Sequence, residues 1–166
     1  MPDHSEFLNF GETLADLSRA MLRKTSQAKP DIEIKADASF VTATDKAVEA
    51  ALRDKITSTY PDHGILGEEF ESTNLGAEFV WVLDSIDGTA PYIAGIPIYG
   101  TLIGLTWNGA PWLGVIDQPV TGDRWTGVAH EFAHRNGAPL SFDMAGHVIA
   151  AGDKARWGEA VSILTP

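Results

Sequence analysis

Two aspartates follow a hydrophobic run near the middle of the chain, in the segment Trp81-Val82-Leu83-Asp84-Ser85-Ile86-Asp87-Gly88-Thr89. A strand that ends in two carboxylates three residues apart can direct both into one small volume, and acids held so close need a compensating cation. Gly88 permits a tight turn, and a short helix beginning at Thr89 would offer a hydroxyl and free N–H groups to a phosphate. The segment therefore predicts a site for a cation and a phosphate group.

Two other acidic segments are candidates for the same site. Glu68 and Glu69 follow Gly67 after a short apolar pair, and because adjacent side chains diverge, one is expected to bind metal and the other to support it through hydrogen bonds or water. Asp45 lies at a predicted helix start, where it either orients a water or only caps the helix. Each acidic segment taken singly also suits a solvated loop, a turn or a cap, and only their combination favours a site.

Two helices are predicted to lie before these segments. Apolar residues recur at alternating steps of three and four over residues 4–26, a range closed by Pro30, and they are Phe7, Phe10, Leu14, Leu17 and Met21. Thr44 and Asp45 suit the start of a second helix that ends before Pro61. Its predicted buried face consists of Val48, Ala51, Leu52 and Ile56.

Strands are predicted over most of the remaining chain. Alternating or buried apolar residues indicate strands at 31–35, 65–66, 79–83, 99–106, 111–116 and 124–128. Asn108-Gly109 is a strong hairpin signal, so the strands on either side should be antiparallel neighbours. Helices followed by antiparallel strands predict an α+β fold, a layered helix/antiparallel-sheet domain. The stretch from about residue 145 to the end has no clear pattern.

The composition excludes several functions. The chain has 166 residues, 44% of them hydrophobic, and a formal net charge of −11 that would repel nucleic acid and anionic membrane surfaces. It contains no cysteine, so a bound metal must be a hard cation on oxygen ligands. The polar start shows no signal peptide and no run of about 18 apolar residues occurs, so we expect no membrane partner and a cytoplasmic location.

The acidic segments resemble a known family. Val41-Thr42-x-x-Asp45, Gly67-Glu68-Glu69 and the segment from Trp81 to Thr89 are similar, in order and spacing, to the three N-terminal signatures of the inositol monophosphatase family, over roughly residues 5–142. Two further stretches are more similar to the histidinol-phosphate phosphatase branch of this family. The first is residues 35–42, and the second runs from residues 100–103 through residues 114–119 to Arg124-Trp125. The resemblance implies the sugar-phosphatase type of layered α+β fold, here its N-terminal half.

The resemblance also implies a metal centre with two or three Mg²⁺ ions. Glu68, Asp84 and the backbone carbonyl of Ile86 would hold one magnesium, while Asp84 bridges to a second that Asp87 also binds. Glu69 would assist a further, looser metal site. Paired metals would neutralise charge on the phosphate and on the attacking and leaving oxygens.

The remaining implied roles concern water and phosphate. Thr89, with Asp45, would orient and deprotonate the attacking water, and the N–H groups of Gly88 and Thr89 would hold phosphate oxygens. Lys35 is a further supporting candidate. The activity implied is magnesium-dependent hydrolysis of a small phosphorylated metabolite, foremost L-histidinol phosphate to L-histidinol and phosphate, by a homodimer in the full-length form. Inositol 1-phosphate or a related sugar phosphate is the alternative substrate.

The chain departs from the family pattern in two ways. Ser85 stands where the family usually has proline, which would fix the backbone, so serine is expected to loosen the loop that carries Ile86 and Asp87. The family also has a C-terminal half with a Trp-Asp metal ligand, whereas Trp157 is followed by Gly158. We therefore expect an N-terminal metal- and phosphate-binding domain at 1–142 and the start or remnant of a C-terminal region at 143–166.

Three competing interpretations remain open. A haloacid dehalogenase-type phosphatase also ends a strand with aspartates, but separates them by one residue where Asp84 and Asp87 are separated by two. A catalytically impaired metal- or phosphate-binding fragment would bind magnesium without turnover. A structural domain could use the tryptophans at an interface, although aromatic residues on strands usually lie in the core. The histidines His63, His130, His134 and His147 suit surface or turn positions better than a ligand role.

Overall fold

The computed structural model describes residues 2–25, 31–34 and 40–140. Lys35, His147, Trp157 and the predicted C-terminal region at 143–166 lie outside these residues. The described elements, in chain order, are α1 (His4–Thr25), β1 (Ile32–Ile34), β2 (Phe40–Thr42), α2 (Ala43–Thr59), β3 (Gly64–Leu66), β4 (Phe79–Asp87), α3 (Thr89–Ile93), β5 (Gly100–Trp107), β6 (Ala110–Asp117), β7 (Arg124–Val128), β8 (Phe132–Arg135) and β9 (Ala138–Pro139).

Seven of these strands form one sheet in the order β3-β4-β5-β6-β7-β8-β9. Only the β3–β4 pair is parallel, and every other neighbouring pair in this sheet is antiparallel. The β5–β6 hairpin turns at Asn108 and Gly109, whose φ angles of 50° and 79° match a turn with two left-handed residues. The predicted α+β class and the antiparallel hairpin are therefore confirmed.

Helices α1 and α2 pack against each other and against the sheet, α1 over β5 and β6 and α2 over β4. The apolar stripe of α1 supplies Phe7, Phe10, Leu14 and Leu22 to a core that includes Trp81 and Val115. No helix in the described ranges is long and apolar enough to cross a membrane. This packing fixes the end of β4 beneath the start of α2, where the acidic segments meet.

Buried ion pairs reinforce the contact between α1 and the sheet. Asp117 on β6 is 1% exposed and accepts two hydrogen bonds from Arg19 of α1, at 2.8 and 2.6 Å. Arg124 on β7 donates to the same carboxylate at 2.7 Å and reaches Asp16 of α1 at 2.6 Å. The negative charge of Asp117 is thus paired with two guanidinium groups. A buried carboxylate without such a partner would be strongly destabilising.

The sequence predictions differ from the structure in a few places. Ala51 is only half-buried, whereas Asp45 and Glu49 lie on the buried face of α2 with Val48, Leu52 and Ile56. Strand β4 does not stop before its carboxylates but continues to Asp87. Strands β2, β8 and β9 were not predicted; all are short and depend on a neighbouring strand for their hydrogen bonds.

Candidate active site

Asp84 and Asp87 lie at the end of β4, between β3 and β5. In a regular strand, residues three apart would face opposite sides of the sheet. The pairing of β4 with β5 changes register between these two aspartates, where Asp84 is opposite Leu102 and Asp87 opposite Gly100. A register shift of this kind can redirect a side chain. Asp84 is buried and Asp87 is exposed, so one acid is fixed in the protein and the next one reaches solvent.

Electrostatic repulsion concentrates on Asp84. Burial, the largest cause, and the nearby carboxylates of Glu68, Asp87, Asp45 and Glu69 together raise the pKa of Asp84 to about 8. Burial also raises the pKa of Asp87. Acids from three separate segments of the sequence therefore act on one carboxyl group, which is the electrostatic environment that a bound cation would relieve.

Asp45 caps the helix, one of the two roles that the sequence left open, and the water-orienting role stays a prediction. It is the third residue of α2 and forms a capping box with Thr42, in which Oδ2 accepts hydrogen bonds from the Thr42 backbone N–H (2.8 Å) and from the Thr42 hydroxyl. Its other oxygen, Oδ1, accepts a hydrogen bond from the hydroxyl of Thr89 at 3.2 Å. Asp45 is therefore both a helix cap and a direct neighbour of the predicted catalytic threonine.

The turn after β4 presents Thr89 at the first residue of α3. Gly88 adopts a φ of 90°, and an added Cβ would lie 3.3 Å from the Ile98 carbonyl oxygen, so only glycine fits here without strain. The Thr89 hydroxyl also lies 3.1 Å from the backbone oxygen of Ile86, the carbonyl assigned as a metal ligand by resemblance. The turn thus brings the predicted water-activating hydroxyl close to the predicted metal ligands.

The Glu68–Glu69 segment is held by a residue that the sequence analysis missed. Glu49 of α2 is fully buried, and its Oε2 accepts hydrogen bonds from the backbone N–H groups of Glu68 and Glu69, at 3.0 and 2.8 Å. Its Oε1 accepts from Arg53 Nε at 2.8 Å. The signal available in the sequence was the four-residue spacing from Asp45, which puts both acids on one helix face.

Ser85, between the two aspartates, is buried and hydrogen-bonded. Its hydroxyl donates to the Asp45 carbonyl at 3.0 Å, and its own carbonyl accepts from the Thr101 hydroxyl at 2.9 Å. Thr101 in turn lies 2.5 Å from the hydroxyl of Ser18 on α1. These bonds connect β4 to both long helices. The expectation that serine loosens this loop stays a prediction, alongside these constraints.

The predicted ligands are neighbours but do not converge on a point. In the described part of the chain, no three acidic or histidine side chains are close enough together to hold a metal ion as they stand. The donor set still fits a hard divalent cation, because it consists of carboxylate and carbonyl oxygens around a buried acid whose pKa is raised by other carboxylates. Glu68 and Asp87, two members of the set, are exposed.

His63 and the buried tryptophans take part in the aromatic packing of the core. His63 stacks on Tyr60 at 4.5 Å between ring centroids and accepts a hydrogen bond from the Trp81 indole at 3.1 Å, while burial lowers its pKa. Trp81 and Trp112 are buried in the core. These residues make packing contacts, which agrees with the expectation that aromatic residues on strands lie in the core.

The layered α+β domain places carboxylates beside a glycine turn. This arrangement is typical of the class of proteins that bind a hard cation through oxygen ligands. Comparison with known proteins identifies the family within this class. The model of the inositol monophosphatase family matches residues 3–156, so the chain belongs to that family.

Individual relatives agree with this assignment. The chain is 42% identical over 137 residues to the bifunctional phosphatase IMPL2, chloroplastic, of Arabidopsis thaliana, covering 81% of this chain and 40% of the relative. It is 39% identical over 106 residues to the histidinol-phosphatase of Chlorobaculum parvum, covering 64% and 41%. The inositol monophosphatase structure from Anabaena is 32% identical, with a TM-score of 0.72 over 85% of this chain and 51% of that one. The chain thus spans about half the length of its relatives, or less.

Proposed function

We propose that this chain provides the metal- and phosphate-binding part of a magnesium-dependent phosphatase that hydrolyses a small phosphate monoester. The observation that carries the proposal is the clustering of acids from α2, the 68–69 segment and β4 around the buried Asp84, next to the Gly88–Thr89 turn. The names of the relatives, all phosphatases, support the same reaction class. The domain at 1–142 is the part of the chain to which we assign this role.

Glu68, Asp84, Asp87 and the Ile86 carbonyl would hold the magnesium ions, with Glu69 in support. Bound magnesium would neutralise charge on the phosphate and lower the pKa of a bound water. Asp87 and Glu68 are exposed, so they would be open to a substrate from solvent, whereas Asp84 is buried.

Asp45 and Thr89 would activate the attacking water. The Thr89 hydroxyl lies within hydrogen-bonding distance of Asp45 Oδ1 and of the Ile86 carbonyl oxygen. When it donates to Asp45, its oxygen can accept a proton from a water while its own proton passes to that carboxylate. The water oxygen then bonds to phosphorus as the ester bond breaks, and the leaving alkoxide takes a proton from solvent. The N–H groups of Gly88 and Thr89 would hold phosphate oxygens during this step.

We propose L-histidinol phosphate as the substrate. Its support is the similarity of residues 35–42 and 100–125 to the histidinol-phosphate phosphatase branch, together with the histidinol-phosphatase of Chlorobaculum parvum among the relatives. Inositol 1-phosphate is the second candidate, because the Anabaena relative of known structure is an inositol monophosphatase. A homodimer of the full-length form is part of the same proposal.

The test is phosphate release from histidinol phosphate and from inositol monophosphate, with and without magnesium. We expect magnesium-dependent turnover that Asp87→Asn abolishes and that the matched control Asp54→Asn, at an exposed position of α2, retains. The faster substrate identifies the branch. Magnesium binding without turnover of either substrate would contradict an active phosphatase and favour the metal-binding fragment. Isolation of a phosphorylated aspartate would favour the haloacid dehalogenase mechanism instead.

A further inference from the structure

Glu49 is a buried carboxylate whose hydrogen bonds go mainly to the backbone of another segment. It is 0% exposed, and one of its oxygens accepts from two successive N–H groups, those of Glu68 and Glu69. A carboxylate that accepts backbone N–H groups forms charge-assisted bonds, which are stronger than neutral ones. The carboxylate therefore fixes the peptide planes that carry two of the proposed metal-site residues.

Arg53 completes this arrangement from the same helix. Its Nε donates to the second oxygen of Glu49 at 2.8 Å, and its Nη2 donates to the Phe70 carbonyl at 3.2 Å. Its guanidinium also lies over the Phe70 ring, 5.7 Å from the ring centroid. The two side chains thus hold the segment from residue 68 to residue 70, Glu49 through backbone N–H groups and Arg53 through a carbonyl and a ring.

Gly67 is the point at which the segment approaches Glu49 most closely. A Cβ at this residue would overlap the Glu49 carboxylate, and it would lie 2.7 Å from Arg53 Nη2. No φ restriction explains this glycine, since Gly67 has no left-handed φ. A side chain at this position would have to displace the Glu49 carboxylate and the Arg53 guanidinium, so glycine allows the close approach of the segment to α2.

We propose that Glu49, supported by Arg53, is a positioning residue for magnesium binding, because it fixes the backbone from which Glu68 and Glu69 extend. This inference rests on the proposed function and deepens it. Glu49 does not itself bind metal in this assignment, since both of its oxygens already have donors. It places the 68–69 segment relative to Asp45, which is one turn earlier on the same helix face.

The experiment compares Glu49→Ala and Glu49→Gln with the parent chain by magnesium calorimetry and by amide hydrogen exchange at Glu68 and Glu69. Asp117→Asn is the matched control, because Asp117 is an equally buried, arginine-paired carboxylate at 1% exposure in a different part of the described fold. All variants are first checked for a cooperative unfolding transition. Glu49→Gln retains the volume and one oxygen acceptor, so it tests the inference if Glu49→Ala does not fold.

We expect Glu49→Ala to lose protection of both amides and to bind magnesium at least ~10-fold more weakly, the effect typical of residues that orient metal ligands. Glu49→Gln should fall between it and the parent chain, and Asp117→Asn should lower the melting temperature while leaving magnesium affinity unchanged. Parent-like magnesium affinity in both Glu49 variants would overturn the positioning role alone. A parent chain that binds no magnesium would overturn the proposed function and the positioning role together, even with amide protection intact.

Discussion

The carboxyl group of Asp84 is the residue-scale feature that links the fold to the chemistry. It is buried at the end of β4, and four other carboxylates act on it from α2, the 68–69 segment and its own strand. Burying an acid among acids destabilises the charged form, which is why its pKa rises to about 8. In the absence of a cation, the raised pKa favours the protonated form of Asp84.

This gives a prediction for stability against pH in the absence of magnesium. Because the folded-state pKa of Asp84 is raised to about 8, the unfolded chain releases its proton first, near the ordinary value of 3.8. The contribution to stability is full below the unfolded pKa and is lost as the pH rises between these values, by up to about 1.4 kcal/mol per pH unit. Thermal melts in the presence of a chelator should show that the melting temperature falls less between pH 5 and pH 8 in Asp84→Asn than in the parent chain. An equal fall in both would contradict the assignment of this charge to Asp84.

A second residue-scale prediction concerns the Thr89 hydroxyl, which donates to Asp45 at 3.2 Å. Thr89→Val preserves the shape but removes the group through which a proton would pass, so we expect kcat to fall by about 10²–10⁴-fold with KM little changed. Thr89→Ser retains the hydroxyl and should retain most of the activity. The measurement is phosphate release at saturating magnesium. A loss in Thr89→Ser with activity retained in Thr89→Val would point to packing of the methyl group instead.

The acidic segments of the site were predictable because each is a short local pattern, whereas Glu49, which acts through long-range hydrogen bonds, was not. Asp84, Asp87, Gly88 and Thr89 follow one another, and their pattern alone predicts a cation and phosphate site. Glu49 was not singled out, because a glutamate four residues before an arginine on a helix is also typical of a solvated ion pair. Its burial depends on where the 68–69 segment runs, which no local pattern records.

At the scale of elements, strand β4 is joined to both long helices by a buried chain of hydroxyl groups. Ser85 donates to the Asp45 carbonyl on α2, while Thr101 donates to the Ser85 carbonyl and pairs with Ser18 on α1. Proline at position 85 would fix the backbone through its ring, whereas here hydrogen bonds to two other elements restrict it. The carboxylates of β4 are thereby fixed relative to Asp45 by contacts outside the metal site.

Two changes at Ser85 separate the hydroxyl from the backbone restriction. Ser85→Ala removes the bond to Asp45 and adds no ring, so we expect a loss of about 1–3 kcal/mol in unfolding free energy and a few-fold weaker magnesium binding. Ser85→Pro replaces that bond with a fixed φ and should bind magnesium at least as tightly as the parent chain. Denaturant unfolding and calorimetry measure the two quantities. Unchanged magnesium affinity in Ser85→Ala would show that its hydrogen bond does not position the ligands.

Elements with their own periodic pattern were predictable, and elements defined by their neighbours were not. The Asn108-Gly109 hairpin forms where it was predicted. The predicted stripe of α1 is buried in its first half, whereas Leu17 and Met21 are only partly buried and Leu22 is buried instead. The four residues of β8 are Phe132, Ala133, His134 and Arg135, which lack strand alternation and are held by pairing with β7. Strand β2 is a three-residue partner of β1. Such strands arise from tertiary contacts, so their formation is set by the sheet and not by intrinsic propensity.

At the scale of the whole molecule, some acidic side chains are paired with arginines and stabilise the fold, whereas others surround the proposed metal site. The formal net charge is −11, and the buried carboxylates divide into two groups. Asp117 and Glu49 are neutralised by arginines, and they hold α1 to the sheet and α2 to the 68–69 segment. The carboxylates around Asp84 raise its pKa instead. A cation bound there would therefore stabilise the folded chain more than its effect as a general counterion predicts.

The last prediction follows from this difference. Magnesium should raise the melting temperature of the parent chain, because a ligand that binds only the folded state stabilises it, by about 2.7 kcal/mol at 100 times its dissociation constant. Sodium chloride at equal ionic strength provides the control for general screening. In an Asp84→Asn/Asp87→Asn variant the magnesium-specific part should disappear, whereas Asp54→Asn, which removes one charge from an exposed position on α2, should retain it. A shift of the same size in the double variant would show that magnesium stabilises the chain by binding elsewhere on its acidic surface and not at the proposed metal site.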